Sequence, residues 1–209
     1  SHANANDSGS SFLIKNLDDY DNNYAGGEIF GGANYVAKTA GAHGNNLLVS
    51  TCPSATAYSQ ELASGNSVNG AGAVGDTTIT VDDVDLASNV INVGDIIQFS
   101  STAATTDFDD GEFYRVTAVN TGTNVVTFVQ HPRGSGGLKR IVADNSRIKR
   151  RWRYYDAVDG GAPGTSKFVS DRSGSGDEIH IVIVDEDGGI TGVPGQILEA
   201  FSKLSKAAD

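Results

Sequence analysis

Residues 177–209 read DEIHIVIVDEDGGITGVPGQILEAFSKLSKAAD, and how this stretch divides between strand and helix decides the fold class. From 179 to 184 every residue except His180 is β-branched and apolar, the composition of a strand that sits centrally in a sheet covered on both sides. The acidic turn Asp185, Glu186, Asp187 and two glycines follow. Beyond them Ile197, Leu198, Phe201 and Leu204 recur at the spacing of one helical face. Pro194 suits a first helical turn, and Lys203 and Lys206 suit a helix C-terminus. The pattern predicts a strand, a tight acidic turn and a closing helix.

Upstream, RIKRRWRYYDAV (147–158) alternates. Ile148, Trp152 and Tyr154 fall on one strand face, and Arg147, Lys149, Arg151 and Arg153 on the other. Seven Lys and Arg lie between Lys139 and Arg153. Basic residues interleaved with aromatics can hold single-stranded nucleic acid. The inward aromatics are equally well used as core, however, and a cationic outer face in an acidic chain suits an acidic face of a protein neighbour. The protein partner is the preferred reading.

Between about Gly65 and Gly137 the texture is that of short strands. TTITVDDV (77–84), NVGDIIQF (92–99), GEFYRVTAVN (111–120) and NVVTFVQ (124–130) are separated by turn clusters and show no helical period, which predicts a small closed or nearly closed antiparallel β-barrel. Its glycine-rich flanks, SGNSVNGAGAVG (64–75) and RGSGG (133–137), look like the two ends of an insertion. Nearer the N-terminus, 12–14, 33–37 and 47–52 suit strands, and 57–63 a short helix closed at Gly65. Residues 1–10 contain no apolar side chain larger than alanine and are expected to be disordered or a tag remnant.

Composition narrows the function classes. The chain has 209 residues, 26 acidic against 15 basic, a net charge of -11, one Cys and no Met. Without Met, Ser1 reads as the start of a processed chain or an excised piece. No apolar run approaches the roughly 18–20 residues needed to cross a bilayer, so no membrane partner is expected. Cys52 has no partner for an internal disulfide. The negative balance argues against a phosphate-binding surface, since nucleic-acid affinity comes largely from counterion release by Lys and Arg.

No catalytic constellation emerges. Lys38 and Thr39 look like the end of a phosphate-binding loop, but Ala37 replaces the glycine required before the lysine. Asp107, Asp109, Asp110 and Glu112 miss the register of an EF-hand and read as a solvated hairpin loop. His2, His43, His131 and His180 are not at zinc-ligand spacing with one another or with Cys52, and His180 reads as a hydrogen-bonded packing residue. Neither a cofactor nor a metal is expected.

Three segments together resemble one family, the sheath proteins of contractile bacteriophage tails. GANYVAKTAGAHGNNLLVS (32–50) is similar to a family stretch in which a strand leads through a turn into a second strand, with Thr39, Ala40 and Gly41 where a Tyr-Pro-Gly-like tripeptide is common. GTSKFVSDR (164–172) is similar as well. Residues 177–209 are the most specific, resembling the family's hydrophobic strand, DEDG turn, TG pair and helix ending in SKA. The resemblance leaves out the barrel and implies an internal piece of a longer subunit.

The fold expected is therefore α+β, a mixed β-sheet with packed helices formed by 11–64 and 138–209, carrying an inserted small antiparallel β-barrel over 65–137. The resemblance implies a non-enzymatic structural role. Subunits would stack around a tail tube, with other sheath subunits and the tube protein as partners, assembled in the host bacterial cytoplasm and residing in the virion tail, this piece alone being monomeric. Asp185, Glu186, Asp187, Lys203, Lys206, Arg147, Lys149, Arg151 and Arg153 are the expected assembly contacts. The alternatives are a β-rich module binding a carbohydrate or cell-surface ligand, and a hydrolase built on the clustered carboxylates. The barrel's Phe99, Phe108, Phe113, Tyr114 and Phe128 are expected mostly in its core, which leaves no evident platform for sugars.

Overall fold

Two antiparallel sheets make up most of the structure, a computed structural model in which residues 16–23, 35, 44, 46–86, 90–108 and 111–207 are described. The strands expected over 12–14 and 33–37 and the disorder expected of 1–10 fall outside these residues, Tyr35 apart. The mostly β architecture overturns the α+β expectation. α-Helix is confined to α1 (Leu17–Asn23), α2 (Ala55–Tyr58) and α3 (Lys167–Ser170) among the described residues, with a 3-10 turn at Ser64–Asn66. A single turn such as α2 or α3 is too short to lay an apolar stripe on a sheet, and neither buries a residue.

The correction is sharpest at the closing helix. There the chain forms a hairpin, β8 (Glu178–Asp185) and β9 (Gln196–Ser205). Val193, Pro194 and Gly195 turn the chain: Gly195, at φ +80°, donates its N–H to the Asp185 carbonyl at 2.7 Å. At the far end the Lys206 N–H meets the Asp177 carbonyl at 2.8 Å. An isolated helix of this length is marginal in water. The edge of a β-branched strand offers the same backbone a full ladder, and pairing overrides the local period.

The chain divides into two compact units, one formed by Ser1–Thr51 and His180–Leu204, the other by Cys52–Ile179 and Ser205–Asp209. In the first, the sheet order is β1 (Leu47–Cys52), β8, β9, with β8 in the middle. His180, Val182 and Val184 are buried on one face of β8, while Ile181 and Ile183 on the other are half-buried.

The second unit holds a six-stranded sheet in the order β2 (Ser59–Glu61), β7 (Ser146–Arg151), β4 (Ile96–Ala103), β5 (Phe113–Asn120), β6 (Val125–His131), β3 (Thr78–Thr80). Strands from 65–137 are thus joined in one sheet by β2 and β7, which lie outside that segment. Residues 67–69 tie the two ends together. The Val68 N–H reaches the Ser146 carbonyl at 3.0 Å, the Asn145 N–H the Val68 carbonyl at 2.8 Å, and the Asn69 N–H the Thr80 carbonyl at 2.9 Å. The sheet closes on itself, leaving few backbone groups without a partner. Inside it Phe99, Tyr114 and Phe128 meet one another at centroid distances of 5.8, 6.0 and 5.1 Å, ringed by Leu62, Val68, Val81, Val116, Leu138 and Ile148.

Candidate functional site

The expected assembly residues fall in two places, the outer face of β7 and the β8–β9 hairpin. On β7 the alternation read from sequence holds as far as Arg151. Ile148 enters the core opposite Phe99, and Arg147, Lys149 and Arg151 face outward. The strand ends there; Trp152 and Tyr154 lie beyond it, buried and in edge contact at 5.6 Å.

Each outward cation has an engagement of its own. Arg147 bridges to Glu61 at 3.2 Å and donates to the Leu62 carbonyl. Lys149 lies over the Phe108 ring at 5.7 Å, and Arg153 over Tyr154 at 5.2 Å. Arg151 stands 4.7 Å from the Phe113 ring centre and 5.2 Å from that of Tyr155. Aromatic faces attract guanidinium and ammonium groups strongly enough to fix their positions. Rings already occupied by cations are poor stacking platforms for bases or sugars.

Arg150, on the core side of β7, was absent from the expected set. It approaches Asp95 at 3.7 Å and donates to the Gln60 side chain at 3.0 Å. Burial pushes the Asp95 carboxyl above its ordinary pKa, although the Asn92 N–H and Arg150 act against the shift. Cys52 is fully buried, and its thiol is pushed up to about 11 by burial, so it is an inert packing residue rather than a nucleophile.

In the hairpin, Asp185 is buried, not solvated. Its Oδ2 accepts from the Ile190 N–H at 3.1 Å, the Thr191 N–H at 2.6 Å and the Thr191 hydroxyl at 2.8 Å. Burial works to raise its pKa, but these bonds outweigh it and hold the carboxyl below its ordinary value. Asp185 therefore organises the loop rather than offering a surface charge. Glu186 is half-buried and gives its N–H to the Asn46 carbonyl at 2.7 Å; Asp187 is half-exposed or more. Lys203, at φ +53°, donates its N–H to Nδ1 of buried His180 at 3.0 Å, a local bulge that leaves the lysine side chain exposed. The exposed Lys206 is fixed through its backbone to Asp177. That carboxylate accepts from the Ser205 hydroxyl and the Ser166 N–H, and the Ser205 bond chiefly holds its pKa below the ordinary value.

Within the acidic run, Asp107 accepts from the Ser101 hydroxyl at 2.8 Å and Glu112 pairs with Lys139 at 2.9 Å; Asp109 and Asp110 are outside the described residues, as are Lys38, Thr39, His2 and His43. Among the described residues no group of three or more His, Cys, Asp or Glu is placed to hold a metal ion, and no helix is long and apolar enough to cross a membrane.

Sequence reasoning also missed Arg115. Ile96 on β4 pairs with Arg151 on one side and Arg115 on the other, so the two arginines flank it on the same face. Nothing in the order of residues announces this, because it depends on the register between three strands. A scan of protein-family models finds no match to the chain, and a search of curated proteins finds none.

Proposed function

We propose that the chain is a structural, non-catalytic subunit of a contractile phage tail sheath, polymerising with other copies around a tail tube and contracting during infection. The observation that carries this reading is β9. It is ten residues long and pairs with β8 alone among the described strands, with Phe201 39% and Leu204 38% exposed. Isolated proteins blunt such an edge with charge, proline or a cover; β9 carries two charges, Glu199 and Lys203, along its ten residues. A subunit that adds a neighbour's strand to its own sheet leaves it open, and main-chain bonds then supply much of the affinity. The resemblance of 164–172 and 177–209 to sheath proteins points the same way, and no cofactor takes part. In this reading the protein is assembled in the bacterial cytoplasm and resides in the virion tail.

Electron microscopy of the full-length gene product tests the reading. Hollow, sheath-like tubes are the expected outcome, and their persistent absence favours a module that binds a carbohydrate or cell-surface ligand. Reversing the charges of Glu186, Asp187, Lys203 and Lys206 in the full-length protein should impair tube formation, with unchanged tube length and yield counting against these side chains as contacts.

A further inference from the structure

The outer face of the barrel carries two guanidinium groups with no ion-pair or hydrogen-bond partner among the described residues. Arg151 lies against the neighbouring rings of Phe113 and Tyr155, and its side chain makes no hydrogen bond or ion pair with any described residue. Asp156, the nearest acid in sequence, instead faces His131 at 3.5 Å. Across Ile96, which is 1% exposed, Arg115 is likewise without an ion-pair or hydrogen-bond partner among the described residues. Both arginines are half-buried. A guanidinium stacked on aromatic faces keeps its N–H edges for an acceptor, and its planar fork matches a carboxylate in bidentate geometry. Arg151 and Arg115, separated by two strand spacings, roughly 10 Å, suit two acidic side chains on one extended segment.

We infer that Arg115 and Arg151 form a docking site for the carboxylates of an acidic protein segment, supplied in the assembly by a second copy of this chain. The identity of the partner rests on the sheath reading; the chemistry of the site does not. Charge complementarity selects the occupant: each copy carries 26 acidic against 15 basic residues, so a second copy offers carboxylates in excess. The Phe113 and Tyr155 rings beside Arg151 are already engaged, which makes them poor stacking platforms for bases. A carboxylate needs only the guanidinium fork and no free ring.

The test is fluorescence anisotropy of the folded chain with a labelled hexaglutamate peptide at low salt, with hexaglutamine and oligothymidylate as comparison probes. Hexaglutamate should bind and hexaglutamine should not. Arg115→Gln together with Arg151→Gln should weaken binding by roughly tenfold or more. Arg151→Lys should weaken it severalfold, because a lysine keeps the charge and loses the fork. A melting temperature close to that of the parent shows that the variants fold. Equal peptide binding by parent and double variant overturns the inference, as does tighter binding of oligothymidylate lost by the same substitutions. In the full-length protein the double variant should form fewer tubes than the parent. A parent that forms no tubes sinks the sheath reading while leaving the peptide result to decide the site; equal tube formation, with equal peptide binding, sinks the site alone.

Discussion

In the barrel, residues 67–69 bond to the end of β3 and the start of β7, so the sheet has no long open side. In the three-stranded sheet, β9 bonds to β8 alone among the described strands and carries the exposed Phe201 and Leu204. The barrel keeps Phe99, Tyr114 and Phe128 inside and ties β3 to β7 through the backbone bonds of residues 67–69. The hairpin spends a buried aspartate and a histidine on shaping a strand with one partner among the described strands. Closure of this kind makes a unit stable by itself, whereas an open edge is a template for another chain. In the proposed sheath reading, the difference separates a part that persists by itself from a part that joins a neighbour.

The largest effects belong to the barrel core. Phe99→Ala removes a ring that touches Tyr114 and Phe128 and should cost about 3–5 kcal/mol in urea denaturation. A loss below about 1 kcal/mol would mean that the core readily collapses around the gap, and the contrast between the two regions would weaken. Gly137→Ala comes next. A methyl group there would collide with the carbonyl oxygens of Gly75 and Asp76, where the strand-closing segment crosses the chain. Because the obstacle is backbone rather than a flexible side chain, destabilisation of about 1–3 kcal/mol is expected in the same assay.

Acid separates the regions by sign. The Asp95 carboxyl is raised by burial, so its contribution to barrel stability is fully present below the unfolded pKa and lost as pH rises through the folded value. Asp185 is the reverse case, held low by the Thr191 and Ile190 bonds. Its contribution is present above the unfolded pKa and disappears as pH falls through the folded one. NMR titration of the two side-chain carboxyls should give a midpoint above the ordinary aspartate value for Asp95 and below it for Asp185. The opposite order would show that burial and hydrogen bonding have been assigned to the wrong carboxylates.

How far these differences can be read from residues follows from what each depends on. Strands β3 and β5 lie within two of the four predicted runs, and β4 and β6 overlap the other two but continue to Ala103 and His131, because period and punctuation are local properties. The outward cations of β7 are legible for the same reason, as alternation alone sorts them. β9 is not legible, since Ile197, Leu198, Phe201 and Leu204 fit a helical period and only the neighbouring edge of β8 selects the strand. The burial of Asp185 depends on a loop folding back to place Ile190 and Thr191 around it, and the pairing of Arg115 with Arg151 across Ile96 depends on register. Both are tertiary facts.

The smallest expected effect is the most informative about the edge. Phe201 lies on β9, 39% exposed, so truncating it in the isolated chain leaves no cavity and should change stability by no more than about 0.5 kcal/mol. A neighbour's strand laid along β9 would bury that ring, where a phenylalanine contributes about 1.5–3 kcal/mol relative to exposure. Phe201→Ala should therefore be nearly silent in denaturation of this chain and yet reduce tube formation by the full-length protein. Loss of several kcal/mol in the isolated chain would mean that the ring is already packed and the edge already covered. Silence in both assays would leave the backbone of β9, rather than its apolar side chains, as the element a partner recognises.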